Sequence, residues 1–196
     1  PEQVKEFCPI IDLRGNGRYP VLGASLQRRG GTARHDAVAW GYARGADALG
    51  VDIIQECPVN GFVIDKGRIT GVETAKGTIK AKKVGVVVAG HCSVMADMAG
   101  FRLPVESRPL QALVSEPVKP IIDCVVMSNA VHAYVSQSDK GELVIGAGVD
   151  RYNGYGQRGS LPVTEETLGA ICELFPMFRR MRMLPGRQSN HLENAG

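Results

Sequence analysis

Nine consecutive residues carry the densest chemistry in the chain: Arg28-Arg29-Gly30-Gly31-Thr32-Ala33-Arg34-His35-Asp36. Two glycines let a ligand approach the backbone closely. Three arginines offer planar forks that suit phosphate. A helix beginning here would add unpaired amides and the positive end of its dipole. Together these make an anion site; a solvated basic loop before an ordinary helix explains the same residues, and spacing alone leaves both open. His35 falls in the first turn, where the dipole disfavours the imidazolium and leaves a neutral ring that can act as nucleophile or ligand. Asp36 pulls the other way, and on these facts alone an ordinary surface or packed histidine accounts for the position.

Other candidates are more dispersed. Ala89-Gly90 closes the apolar run Val84–Val88, and ligands of open α/β sheets collect at the carboxyl ends of strands. A tight strand-to-helix turn would need the same two residues. His91 and His132 are lone histidines with no base role assigned. Tyr134, Tyr152 and Tyr155 could line a pocket for a small amine, though aromatics on sheets usually pack. Arg108 and Arg158 could face a carboxylate, and no spacing selects them. Catalytic residues are therefore left unassigned. The five cysteines (Cys8, Cys57, Cys92, Cys124, Cys172) are odd in number and widely spread, without a CxxC. They read as reduced thiols of a cytoplasmic protein, and no metal site is expected.

The elements that must hold these residues follow from periodicity. Thr32 is the expected N-cap of a helix over 33–49. Val38, Tyr42, Ala46 and Leu49 share one face of it, and Gly50 stops it. Val51–Ile54 then reads as a strand. Val59–Ile64, Ile69–Thr74 and Thr78–Ala81 form a meander around Asp65-Lys66-Gly67 and Ala75-Lys76-Gly77. Val84–Gly90 is apolar on both faces, which predicts a buried strand of a parallel sheet. His91–Ala99 is a short helix ended by Gly100.

Beyond Pro104 the pattern becomes antiparallel: Leu110–Ser115, Ile121–Met127, Ala133–Gln137 and Leu143–Val149, with a hairpin turn at Asp139-Lys140-Gly141. Thr164 is the expected cap of a last helix to about Phe175. The polar tail from Pro185 is expected to be mobile. Gly15-Asn16-Gly17 reads as a turn. A strand–GxGxxG–helix unit is absent, and Gly146-Ala147-Gly148 sits within a strand.

Composition limits the class. The chain has 196 residues, 44% apolar and 22% charged, which is ordinary for a folded protein and argues against disorder. The net charge of +3 is too balanced to imply nucleic acid. No apolar run approaches the ~20 residues of a membrane span, and PEQVKEFCP is no basic–apolar leader.

The runs RRGGTARHDAVAWGYARGADALGVDII, VVVAGHCSVMADMAGF, RPLQALVSEP and GELVIGAGVDRYNGYGQRG resemble the beta subunits of heterotetrameric sarcosine oxidases, flavin amine oxidases of the glycine-oxidase-like class. The resemblance covers nearly all of residues 1–184. It implies an α/β fold: an incomplete FAD-binding domain of the glutathione-reductase-like type, plus an antiparallel-sheet substrate domain. The corresponding divisions are a lead-in over 1–31, the FAD-binding part over 32–104, the substrate part over 105–184 and an atypical tail over 185–196.

The resemblance further implies noncovalent FAD and an FMN attached covalently through its 8α carbon. The matching histidine is His35, with Arg34 as an FMN contact. Val59, Ala89 and Gly90 match FAD contacts. Implied partners are an alpha subunit, smaller subunits and sarcosine. The implied reaction is oxidative demethylation of sarcosine with oxygen, giving glycine, formaldehyde or methylene-tetrahydrofolate, and hydrogen peroxide.

The family chain is about twice as long, so the sequence reads as an internal piece whose apolar faces need covering. The isolated fragment is expected to be inactive. Two further readings stand beside this one: an inert truncated module that only binds a partner subunit, and a related dehydrogenase of dimethylglycine type.

Overall fold

The computed structural model describes residues 1–14, 17–156 and 158–194, the stretch 185–194 by backbone alone. The Gly15-Asn16-Gly17 turn thus lies partly outside the described residues. The elements in chain order are α1 (Glu2–Phe7), α2 (His35–Ala48), β1 (Val59–Asp65), β2 (Arg68–Thr74), β3 (Gly77–Lys80), α3 (Cys92–Met98), β4 (Val105–Ser115), β5 (Val126–Ser128), β6 (Ala133–Gln137), β7 (Leu143–Val149), α4 (Leu161–Leu174) and β8 (Met183–Asn194). Short 3-10 turns at Ala89–His91 and Pro176–Arg180 precede α3 and follow α4. The described residues divide into two compact units, one built from 1–31 with 107–193, the other from 32–106.

The first unit is built on a five-stranded sheet in the order β5-β6-β7-β4-β8. β6 and β7 form the expected hairpin, with Val135 opposite Ile145. Its turn closes through Ser138 N–H to Glu142 C=O at 2.8 Å, with Gly141 at φ 95°. β4 alternates strictly, burying Ser107, Pro109, Gln111, Leu113 and Ser115, because one face meets the core and the other does not. α4 covers the sheet with Val163, Thr167, Ala170, Ile171 and Leu174, a spacing that follows the helical period.

The core joins Leu113, Ala170, Ile171 and Leu174 to Phe175 and Phe178, whose rings stack at 5.0 Å, and to Cys8 and Ile11 of the lead-in. Residues 1–31 therefore belong to this body through apolar packing, a placement that the local sequence pattern did not signal.

The second unit carries the meander β1-β2-β3, with Phe62 opposite Val72 and Val72 opposite Ile79. Its helices end as expected. Gly50 (φ 84°) donates to Asp47 C=O at 2.9 Å, and Val51 donates to Ala46 C=O at 3.1 Å, the paired bonds of a Schellman stop. Gly100 (φ 83°) and Phe101 repeat the pattern on Asp97 and Ala96 behind α3.

Several expectations fail for identifiable reasons. Val51–Ile54 and Val84–Val88 are not strands and are largely exposed. A strand exists only through ladder bonds to a neighbour, and no described residue pairs with either segment. Ile121–Val125 is likewise not a strand: the Gln137 amide replaces a ladder there. Its Oε1 accepts from Ile121 N–H (2.8 Å) and Ile122 N–H (3.2 Å), and its Nε2 donates to the carbonyls of Val118, Lys119 and Gly141.

Neither proposed threonine cap stands. α2 starts after Arg34 and α4 after Ser160, both in extended backbone, and the Thr164 hydroxyl bonds inside α4 to Ser160 C=O at 3.0 Å. Pro162 in the first turn was the overlooked signal. The tail expected to be mobile is strand β8 beside β4, since a sheet edge offers backbone bonds whatever the side chains are.

Candidate functional site

All five residues assigned to flavin in the sequence lie in the second unit. His35 is the first residue of α2, and Arg34 is its N-cap residue. Both are exposed, and the first helical bond runs from Val38 N–H to Arg34 C=O at 3.0 Å. The amides ahead of that bond have no partner within the helix ladder.

The Arg34 guanidinium lies 3.6 Å from the Asp36 carboxylate. With the Ala37 amide as the larger influence and Arg34 and His35 adding to it, the Asp36 carboxyl is held below the ordinary carboxylate range. Asp36 thus stays anionic near neutrality and tempers the local positive field. None of α2 is buried, including the apolar face of Val38 and Leu49 expected to pack. The imidazole is open at the head of a helix that presents an unpartnered apolar face.

Val59 opens β1 opposite Thr74. Ala89 takes φ 44°, a left-handed conformation costly for a residue with a Cβ, and Gly90 beside it is buried. The 3-10 turn through both leads directly into α3, which packs on β1. Val59, Ala89 and Gly90 therefore sit on neighbouring elements. Ala89 is strained in the way functional turns often are.

Tyr152 and Tyr155 are exposed, and Tyr134 lies across β7 over Gly146. A groove of about 300 Å³ in the first unit is lined by Ile145, Leu168, Cys172, Phe178, Arg179 and Met181, none of them singled out as substrate contacts. Among the described residues no group of three or more His, Cys, Asp or Glu side chains could hold a metal ion. Nor is any described helix long and apolar enough to cross a membrane.

A family model described as FAD dependent oxidoreductase (DAO) matches residues 1–188. The chain belongs to the FAD dependent oxidoreductase family. Its fold mixes helices with antiparallel sheets, as in solved members. This oxidoreductase chain is 59% identical over 184 residues to sarcosine oxidase subunit beta of Arthrobacter sp., covering 94% of this chain and 45% of that one. It is 58% identical over 184 residues to the Rhodobacter capsulatus subunit, with 94% and 44% covered. The chain thus spans less than half the length of these relatives.

Among solved structures, L-proline dehydrogenase from P. horikoshii superposes with a TM-score of 0.88 at 25% identity, over 97% of this chain and 50% of that one. Glycine oxidase from Geobacillus kaustophilus superposes with a TM-score of 0.69 at 16% identity, over 80% and 42%, a likeness of fold alone.

Proposed function

We propose that this chain is a fragment of a sarcosine oxidase beta subunit that carries a covalent FMN on His35. The 59% identity over 184 residues to the Arthrobacter subunit carries the reading. The residues present fit the group. An exposed imidazole is open to alkylation, whereas one packed in the core would not be. The Arg34 guanidinium and the positive end of α2 lie beside it, suited to a phosphate or an electron-rich ring.

Arg34 is the proposed FMN contact. Val59, Ala89 and Gly90 are the proposed contacts to noncovalent FAD, through the main chain of β1 and of the strained turn. A bound flavin supplies the redox chemistry, accepting a hydride equivalent from an amine and passing electrons to oxygen. The chain's own part is to fix the ring, balance charge and exclude alternatives.

The proposed overall reaction takes sarcosine and oxygen to glycine, formaldehyde or methylene-tetrahydrofolate, and hydrogen peroxide. The proposed assembly includes an alpha subunit and smaller subunits in the cytoplasm. The fragment alone is proposed to be inactive.

The test is flavin retention after denaturation. The chain, coexpressed with the rest of its oxidase, should keep flavin fluorescence in acid and show an intact mass increased by one FMN. His35→Ala should lose both. Flavin released quantitatively by acid from the unaltered protein would sink the covalent assignment.

The exposure of Val51–Ile54 and Val84–Val88 favours a second reading, an inert module that only binds a partner subunit. Copurification with that subunit and no visible flavin absorbance would select it.

A further inference from the structure

We propose that Cys8 and Cys124 form a peroxide-responsive dithiol that closes to a disulfide and fastens α1 to the sheet unit. Neither the flavin reading nor any partner is needed for this, since both residues lie in the first unit. Cys8 follows α1 directly, with its backbone held on both sides: its N–H donates to Val4 C=O at 2.9 Å, and its C=O accepts from Ile11 N–H at 3.2 Å. The Cys124 thiol donates to Phe7 C=O at 3.5 Å, one peptide from Cys8. Cys8 is part of the apolar core and Cys124 packs against it.

Exposure separates their roles. Cys8 is 4% exposed, while Cys124 is half-buried and reachable from solvent. Cys124 is thus the thiol that a peroxide meets first, and Cys8 is the resolving thiol held beside it. The steps balance. The Cys124 sulfur attacks the O–O bond of hydrogen peroxide, giving a sulfenic acid and one water. The Cys8 sulfur then displaces the hydroxyl as a second water and forms the S–S bond. Two thiols lose two electrons and two hydrogens, and one peroxide becomes two waters.

Burial, with the nearby Cys124 and Asp123 adding to it, pushes the Cys8 thiol up to about 11, and burial raises Cys124 as well. Cys172 lies in the groove beside Arg179, and Cys57 and Cys92 belong to the other unit.

The full chain should be treated with hydrogen peroxide, alkylated, denatured and mapped by mass spectrometry. A mass two hydrogens lower, loss of two alkylatable thiols, a linked Cys8–Cys124 peptide and reversal by dithiothreitol are expected. Because the bridge would close a long loop, the oxidised chain should also melt at a higher temperature. Cys124→Ser and Cys8→Ser should each abolish the linked peptide. If the buried Cys8→Ser variant does not fold, the half-buried Cys124→Ser variant is the deciding control. Linkage through any other cysteine would overturn the pairing. So would Cys124 sulfinic acid forming with no bridge, or equally fast bridging in urea, where native proximity is lost.

Discussion

Asp12 shows how a single side chain can be read for pH behaviour. Its carboxylate accepts from Arg14 N–H at 3.0 Å, Nε at 2.8 Å and Nη2 at 2.7 Å. These bonds, led by the guanidinium, hold its pKa down to about 2. A depressed carboxyl pKa contributes stability above the unfolded value of ~4, and that contribution is lost as pH falls through about 2. Arg14→Gln should move the Asp12 midpoint up toward ~4, followed by the carboxyl carbon signal in an NMR titration; an unmoved midpoint would show that the guanidinium is not the cause. His35 is the opposite case. Its type and helix-start position were legible in the chain, and it does open α2. Its chemical meaning came from resemblance, because an imidazole at a helix head is common. The bond from the Cys124 thiol to the Phe7 carbonyl, beside Cys8, was invisible, since residues so far apart in the chain meet only through packing.

At the scale of elements, patterns that depend on local period survived best. β6 and β7 match their expected residues, as do the glycine stops of α2 and α3, because turn chemistry and alternation act over a few residues. Elements that need a distant partner did not: Ile121–Val125 follows the Gln137 amide instead of a ladder. The contact of β7 with α4 makes a sharper prediction. A Cβ on Gly148 would lie 2.6 Å from Thr167 Oγ1 and equally close to Val163, with no room to retreat along a packed helix. Gly148→Ala should destabilise by about 1–3 kcal/mol, the usual cost of overpacking. Urea unfolding would measure it, and an unchanged midpoint would mean that α4 can shift away.

At the scale of the whole molecule, apolar surface dominates. Val87 is 94% exposed and Leu49 87%, and Val51, Ile53, Ile54 and Val86 are about half exposed. The chain spans less than half of its curated relatives, and such surface is ordinarily covered by further structure. The isolated chain should therefore self-associate with rising concentration in sedimentation velocity and bind a hydrophobic dye. Val87→Asp should reduce both. A monodisperse chain that binds no dye would contradict this.

The amino-acid order alone was enough for the hairpins, the meander, the helix stops and the composition class, because each depends on neighbours a few residues away. The run of valines at 84–88 marked an interior strand, yet nothing in it supplies the strand beside it. Long-range packing had to settle that residues 1–31 join the sheet unit, that the polar tail extends its edge, and that Cys124 reaches the backbone beside Cys8. Burial and ladder bonds are properties of pairs of segments, and a linear pattern carries only one member of each pair.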